Sequence, residues 1–416
     1  MTLPRRKPQR KKSHRPSYLF VRSDEPSYEF IQSDEALRAY LQKAQSSEWI
    51  AIDTEFISEG HYCPELCLVQ AATSAGPVLI DPLAIRDMTP FWEFLCGGVL
   101  VIAHSCRSEL EFCYKAIGRF PKRLFDVQLA AGFVAEVYPM NFKDIARVFL
   151  RRCLPKGETR TDWRHRPLSF LQIEYALNDV IFLNDLRVLL TDKLKGVERY
   201  EWFLEETDAY LNRIGESFGD HHWEQITRRH PLSRQQLAVA RELWHWREKK
   251  GKLLDRPVDR ILKDEVLAEL ARRNTADPEE IALQRDIARR SDLEILLKEL
   301  PPVIRRGMSL PESQLPELPV RKQIPNYEVA VHFLTIILSN YAHRQKLSLG
   351  LLGTPHDFRE FLAHRQGVLP EGITPRLDTG WRKTFLNGQI DLVISGHVAI
   401  KITDFTKNDP LGIIEL

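Results

Sequence analysis

The chain has 416 residues, 43% hydrophobic and 28% charged, the composition of a soluble globular protein with two or three domains. No apolar run is long enough to span a membrane, and the basic N-terminus leads only into Tyr18-Leu19-Phe20-Val21 before charge resumes, far short of a secretory signal. A cytoplasmic protein without membrane contact is therefore expected. The net charge of +2 conceals an asymmetry, because Arg5, Arg6, Lys7, Arg10, Lys11, Lys12, Arg15 and Arg22 all precede the first acid, Asp24. Residues 1–27 thus read as a basic disordered tail suited to a polyanion such as RNA.

In chain order, Tyr28 to Ile31 reads as a short strand, followed by a helix that Ser33 caps. Trp49 to Phe56 is an apolar strand that ends in Asp53 and Glu55. Side chains alternate along a strand, so the two acids share a face and Thr54 points to the other. Paired carboxylates repel unless a cation lies between them, and hard ions such as magnesium or manganese take oxygen ligands. Leu66–Ala72 and Pro77–Asp81 complete a three-strand meander, Phe91–Cys96 is a short helix, and Val99–Ala103 is a strand buried on both faces. The fold class is α/β.

A helix follows His104 and carries Glu109 about one turn in, with Glu111 turned away toward the surface. Leu124–Gln128 reads as a strand, and Leu129–Ala135 and Asn141–Leu150 read as helices. Lys156, Arg160, Arg164 and Arg166 mark a basic loop suited to phosphate. Leu168–Leu190 is expected as one long amphipathic helix with Tyr175 and Asp179 on one face. Two acids on a strand end, a third on one helix and a fourth beside a phenol on another suit a pair of metal ions about 4 Å apart, which activate water and steady the leaving oxygen of a phosphodiester. The six cysteines are expected reduced and mainly buried, since Cys63 and Cys67 with His104 or Cys106 lack the paired spacing of a zinc site.

Beyond Glu205 the pattern loosens around Gly215, Gly219, His221 and His222, so the first domain is expected over 28–210 and a linker over 211–232. Residues 233–300 form a helical domain, 301–325 a proline-rich linker, 326–402 a second helical domain and 403–416 a tail.

Asp53-Thr54-Glu55-Phe56, His104 through Glu111, and Tyr175-Ala176-Leu177-Asn178-Asp179 resemble, in order, the three motifs of the DnaQ-like 3′-5′ exonucleases of the subgroup named for its four acids and a tyrosine. With Tyr62-x-Pro64-x-Leu66-x-Leu68-x-Gln70 and Phe125-Asp126-x-Gln128-Leu129-Ala130, the resemblance narrows to the ribonuclease D family. It implies an RNase H-like mixed sheet followed by helical HRDC-type domains. Leu243-Trp244-x-Trp246-Arg247-Glu248, Asp255-Arg256-Pro257, Ile261-Leu262-Lys263-Asp264 and Leu267-x-x-Leu270-Ala271 resemble the HRDC domain shared with RecQ helicases, and Gly380-Trp381-Arg382 resembles the family's C-terminal helical region.

The resemblance implies a metal-dependent 3′-5′ exoribonuclease acting on tRNA precursors or other structured RNA with 3′ extensions, as a monomer. Asp53, Glu55, Glu109 and Asp179 would hold two Mg²⁺ or Mn²⁺ ions, Tyr175 would position the water, Phe56 and His104 would touch substrate, and Asp126 would support its neighbours. Glu109 departs from the family's aspartate. This leaves two alternatives, a DNA-directed exonuclease in repair and a catalytically weakened RNA-binding protein.

Overall fold

The computed structural model describes residues 27–154, 161–218, 223–224, 232–318, 324–370, 372–407 and 410–415. The basic tail up to residue 26, Lys156 and Arg160 of the basic loop, and Gly219, His221 and His222 lie outside the described residues.

The first domain is built on a six-stranded mixed sheet in the order β1-β4-β3-β2-β5-β6. The strands are β1 (Glu29–Ile31), β2 (Trp49–Ile57), β3 (Glu65–Thr73), β4 (Gly76–Ile80), β5 (Leu100–Ala103) and β6 (Leu124–Asp126). The expected meander is present, with β2 antiparallel to β3 and β3 to β4, while β1, β5 and β6 add in parallel.

Alternation along β2 decides which helices each residue meets. Ile50 and Ile52, with Val101 and Ala103 of β5, pack against Leu37 of α1 (Asp34–Ala44), Phe91 and Leu95 of α2 (Thr89–Cys96) and Leu110 of α3 (Arg107–Ile117). Ala51, Ile102 and Phe125 face the opposite way, toward α4 (Val127–Gly132) and a second set of helices. These are α6 (Phe170–Ile181), α7 (Leu183–Gly196) and α8 (Tyr200–Phe218); the small α5 (Phe142–Ile145) runs into a π-helical turn, Ala146–Leu150.

Leu168–Leu190 is two helices rather than one, parting at Phe182. Ala176 and Leu177 of α6 pack on Cys67, Leu68 and Leu79, whereas Leu183, Leu186 and Leu190 of α7 join Ala51, Ile102 and Phe125. Val180, near the end of α6, already belongs to the second cluster, so the change of packing partners falls next to the join at Phe182. The boundary expected at 210 falls inside α8, whose Ile214 is buried with Tyr210, Leu211 and Phe218 against it. Gly215 is absorbed at a helix-interior cost of about 1 kcal/mol.

The helical segment after Ser233 begins with α9 (Arg234–Leu254), closed at its start by a Ser233–Gln236 capping box. It packs with α10 (Asp264–Arg273) and α11 (Leu293–Met308) around Leu243, Leu267, Leu270, Leu300 and Ile304. Pro301 and Pro302 lie inside α11, where a linker was expected. A helix-interior proline costs about 3 kcal/mol, and the burial of Leu296, Leu300, Val303 and Ile304 offsets it.

The C-terminal helices include α12 (Glu328–Arg344), α13 (Pro355–Arg365) and α14 (Gly380–Leu386), and they are followed by a hairpin of β7 (Val398–Ile402) and β8 (Leu411–Glu415), so the expected tail contains a strand. Leu334, Phe358, Phe361, Trp381 and Phe385 share a core with Phe133, Leu190 and Phe203 of the first domain.

Candidate active site

Helix α6 lies across β2, β3 and β4 and delivers Asp179 to the face of β2 that carries Asp53 and Glu55. One oxygen from each of the three carboxylates falls within 4.8 Å of the others. Oδ2 of Asp179 is buried without a hydrogen-bond partner. The oxygen-only donors and the orphaned oxygen fit a hard divalent cation.

The electrostatics point the same way. Burial and the charges of Asp179, Glu109 and Glu55 push the Asp53 carboxyl well above its ordinary range. Burial, then Asp179 and Glu109, push Glu55 to about 8. Burial raises Asp179 to about 7 against the pull of Tyr175 and Lys143. Tyr175 sits one turn before Asp179, its phenol raised by burial and by Asp179, Glu55 and Asp53. Carboxyls this crowded hold protons until a cation displaces them.

Glu109 stands apart. It occupies the first turn of α3, is buried, and its Oε1 accepts a hydrogen bond from Thr54 Oγ1 at 2.5 Å. Alternation along β2 explains the pairing, since Thr54 faces α3 while its neighbours face α6. Burial raises Glu109 to about 7 although Thr54 opposes the shift. Its charge reaches Asp53 and Glu55, but its oxygens are not among the three that converge. Glu111 turns outward to Lys115 at 2.7 Å.

Asp126 caps α4, accepting from the N–H groups of Gln128 and Leu129 at 2.8 and 3.3 Å, and also from those of Ser105 and Cys106 at 3.1 and 3.2 Å. Ser105 has a left-handed φ of 57°, so Asp126 braces the turn that launches α3 and Glu109. His104 is held with its Nε2 3.0 Å from the Met140 carbonyl and its ring against Phe142. Phe56 is half-buried with its ring edge-on to Phe112 at 5.5 Å.

The basic loop is internally neutralised where it is described. Arg166 grips Asp81 with two bonds of 2.7 Å and the Cys67 carbonyl with a third, and Arg164 pairs with Asp162. Four of the six cysteines are buried and all are free, and among the described residues the three-acid group is the only metal-binding candidate.

Three neighbours were not singled out from the sequence. Thr54 was assigned only a direction. Lys143 on α5 lowers Asp179 through its charge. Gln70 pairs with Asp53 across β2 and β3 and is fully buried, with neither amide atom hydrogen-bonded.

Residues 28–195 match the model of a 3′-5′ exonuclease domain and residues 236–290 that of the HRDC domain. The ribonuclease D of Desulfotalea psychrophila is 31% identical over 360 residues, spanning 84% of this chain and 94% of that protein. This chain belongs to the ribonuclease D family. A second ribonuclease D, from a Shewanella species, is 30% identical over 349 residues, 83% of this chain and 89% of its own. The crystal structure of Escherichia coli RNase D, an exoribonuclease involved in structured RNA processing, superimposes with a TM-score of 0.74 at 26% identity, covering 89% of this chain and 99% of that one. As a ribonuclease D, the chain is a 3′-5′ exoribonuclease, a phosphodiester hydrolase of a divalent-metal-dependent family, with an acidic cluster to take the metal.

Proposed function

We propose that this ribonuclease D trims the 3′ ends of tRNA precursors or other structured RNAs, working as a cytoplasmic monomer with magnesium or manganese. The observation that carries the site assignment is the convergence of Asp53, Glu55 and Asp179 within 4.8 Å around a buried, unbonded oxygen. These three carboxylates are the metal ligands, and Glu109 completes the set from α3. Two bound divalent ions would lower the pKa of a water and neutralise charge on the scissile phosphate.

The chain's own residues do the rest. Tyr175, beside Asp179, orients the water for in-line attack and receives a hydrogen bond from it. Thr54 holds Glu109 in one rotamer, so that its charge bears on Asp53 and Glu55. Asp126 ties the start of α3, through the N–H groups of Ser105 and Cys106, to the start of α4, through those of Gln128 and Leu129. Phe56 and His104 line the approach of the terminal nucleotide, and the helical domains with the basic tail bind the RNA body.

The test is incubation with a tRNA carrying a 3′ extension, with and without magnesium or manganese, following products at single-nucleotide resolution. A metal-dependent ladder shortening from the 3′ end is expected, and Asp53→Ala should abolish it while leaving the circular dichroism spectrum unchanged. An Asp53→Ala protein as active as the wild type would refute the site assignment.

A further inference from the structure

Two thiols that the reaction does not use face each other behind the site. Cys96 closes α2 and Cys113 lies midway along α3, and their sulfurs stand 3.6 Å apart in the core that these helices share with the sheet. Both also face the carbonyl of Arg119, at 3.3 Å from Cys113 and 3.9 Å from Cys96. Cys96, at 7% exposed against 1% for Cys113, is the more accessible of the two. Phe94, Gly97 and Gly98, on either side of it along the chain, line a cavity of about 680 Å³ together with Glu48 and Arg123.

The sulfurs of a disulfide lie about 2.05 Å apart, so this pair bonds after an approach of about 1.5 Å. Helices α2 and α3 pack directly on each other and share that movement. The hydrogen bond from Cys113, helped by the charge of Arg119, holds the Cys96 thiol below its ordinary range against the effect of burial. Cys96 is therefore the sulfur that ionises and attacks, and Cys113 the one that resolves.

We propose that Cys96 and Cys113 form a peroxide-responsive dithiol switch that sets the position of Glu109. The Cys96 thiolate attacks one oxygen of hydrogen peroxide, the O–O bond breaks, and the departing hydroxide takes up a proton and leaves as water. The Cys113 sulfur then attacks the Cys96 sulfenic acid, the S–O bond breaks, and hydroxide leaves with the Cys113 proton as a second water. The two thiols give up two electrons and two protons, and the peroxide becomes two waters. A thiol reductant reverses the step by exchange.

Glu109 precedes Cys113 by one turn on the same face of α3. Drawing Cys113 toward α2 displaces the carboxylate that Thr54 holds at 2.5 Å. The bonded pair also withdraws both S–H donors from the Arg119 carbonyl, just past the Gly118 turn that closes α3. Loss of an orienting contact costs about 10- to 100-fold, so the oxidised protein turns over more slowly. That effect rests on Glu109 completing the acid set, whereas formation of the bond does not.

The experiment uses the full chain with its two exposed thiols removed, Cys63→Ser with Cys153→Ser. The protein is treated with hydrogen peroxide, alkylated and digested, and mass spectrometry is expected to find the peptides of Cys96 and Cys113 joined, with the loss of two hydrogens. Absence of that joined pair would overturn the proposal. On a hairpin RNA with a single-stranded 3′ tail, oxidation should lower kcat about tenfold with KM little changed, and dithiothreitol should restore it. Cys96→Ala and, separately, Cys113→Ala should keep the untreated rate and lose the response to peroxide. Cys96 lies at the edge of the core, so its variant carries the test if Cys113→Ala does not fold. Inhibition that persists in the Cys96→Ala protein, or a joined pair at unchanged kcat, would overturn the switch. Glu109→Gln, assayed in the reduced chain, reads the part of Glu109 by itself, so failure of the switch and failure of the acid-set reading are distinguishable.

Discussion

Thr54 illustrates how one side chain between two acids serves a third. Its hydroxyl donates to Glu109 across 2.5 Å in a buried setting. Thr54→Val keeps the shape and removes the donor, leaving Glu109 to relax or take a proton. Loss of such an orienting partner costs about 10- to 100-fold in activity or metal affinity. We expect that loss in kcat with KM little changed, read from steady-state kinetics under a manganese titration.

The raised carboxyls give a second expectation, with a definite sign. Asp53, Glu55 and Asp179 hold protons in the metal-free fold well above their ordinary range, Glu55 to about 8 and Asp179 to about 7. Between the unfolded carboxyl pKa and these values the folded state binds more protons than the unfolded one, so the metal-free protein loses stability as pH rises through that window. Metal ligation requires the charged forms, so affinity grows over the same window. Thermal unfolding with chelator and with magnesium should therefore show a larger metal-induced rise in midpoint at pH about 8.5 than at about 5.5. The acids were legible in the sequence because a strand end and a helix face place them by period alone. Lys143 and Gln70 were not, because their nearness to the site depends on where α5 and β3 pack.

Among the elements, the long helix expected over Leu168–Leu190 failed at Phe182 for a reason periodicity does not carry. Both halves are apolar on one side, but Ala176 and Leu177 of the first pack on a cluster that the second half does not join, and only the packed sheet reveals that. The prolines misled in the opposite way. Pro301 and Pro302 read as a linker, yet α11 continues through them because its apolar face is the lid of the HRDC core. What lets α11 sit so close is Gly307, where an added Cβ would lie 2.6 Å from the Cα of Val239 on α9. Backbone does not yield as a side-chain tip does, so Gly307→Ala must push the two helices apart. Overpacking of this kind costs about 1–3 kcal/mol, and a fall of that size in denaturant-unfolding stability is expected.

The molecule as a whole is tied together at Glu206, a residue no motif marked. It is 2% exposed on α8, and its carboxylate takes Arg382 at 2.6 Å, Arg376 at 2.9 Å, Arg213 at 3.0 Å and the Trp381 indole at 3.0 Å. Arg382 and Trp381 belong to α14, so the segment that resembled only a C-terminal helical region completes the core of the exonuclease domain, with Trp381 packed on Phe133 and Trp202. Burial opposes the charge on Glu206, but the guanidinium and indole donors prevail and bring its carboxyl down to about 2. A depressed carboxyl contributes stability that is complete above its unfolded pKa of about 4.3 and is lost as pH falls toward 2. Glu206→Gln keeps the volume and removes the charge, leaving Arg382, 5% exposed, without its counterion. Breaking a buried pair in this way costs about 3–5 kcal/mol. Acid titration followed by tryptophan fluorescence should show the wild-type protein losing its C-terminal packing between about pH 4 and 2. The Glu206→Gln protein should start less stable at neutral pH and depend less on pH across that window, because the group that titrates there is gone. A variant whose acid transition keeps the wild-type slope would place the acid-sensitive tie elsewhere.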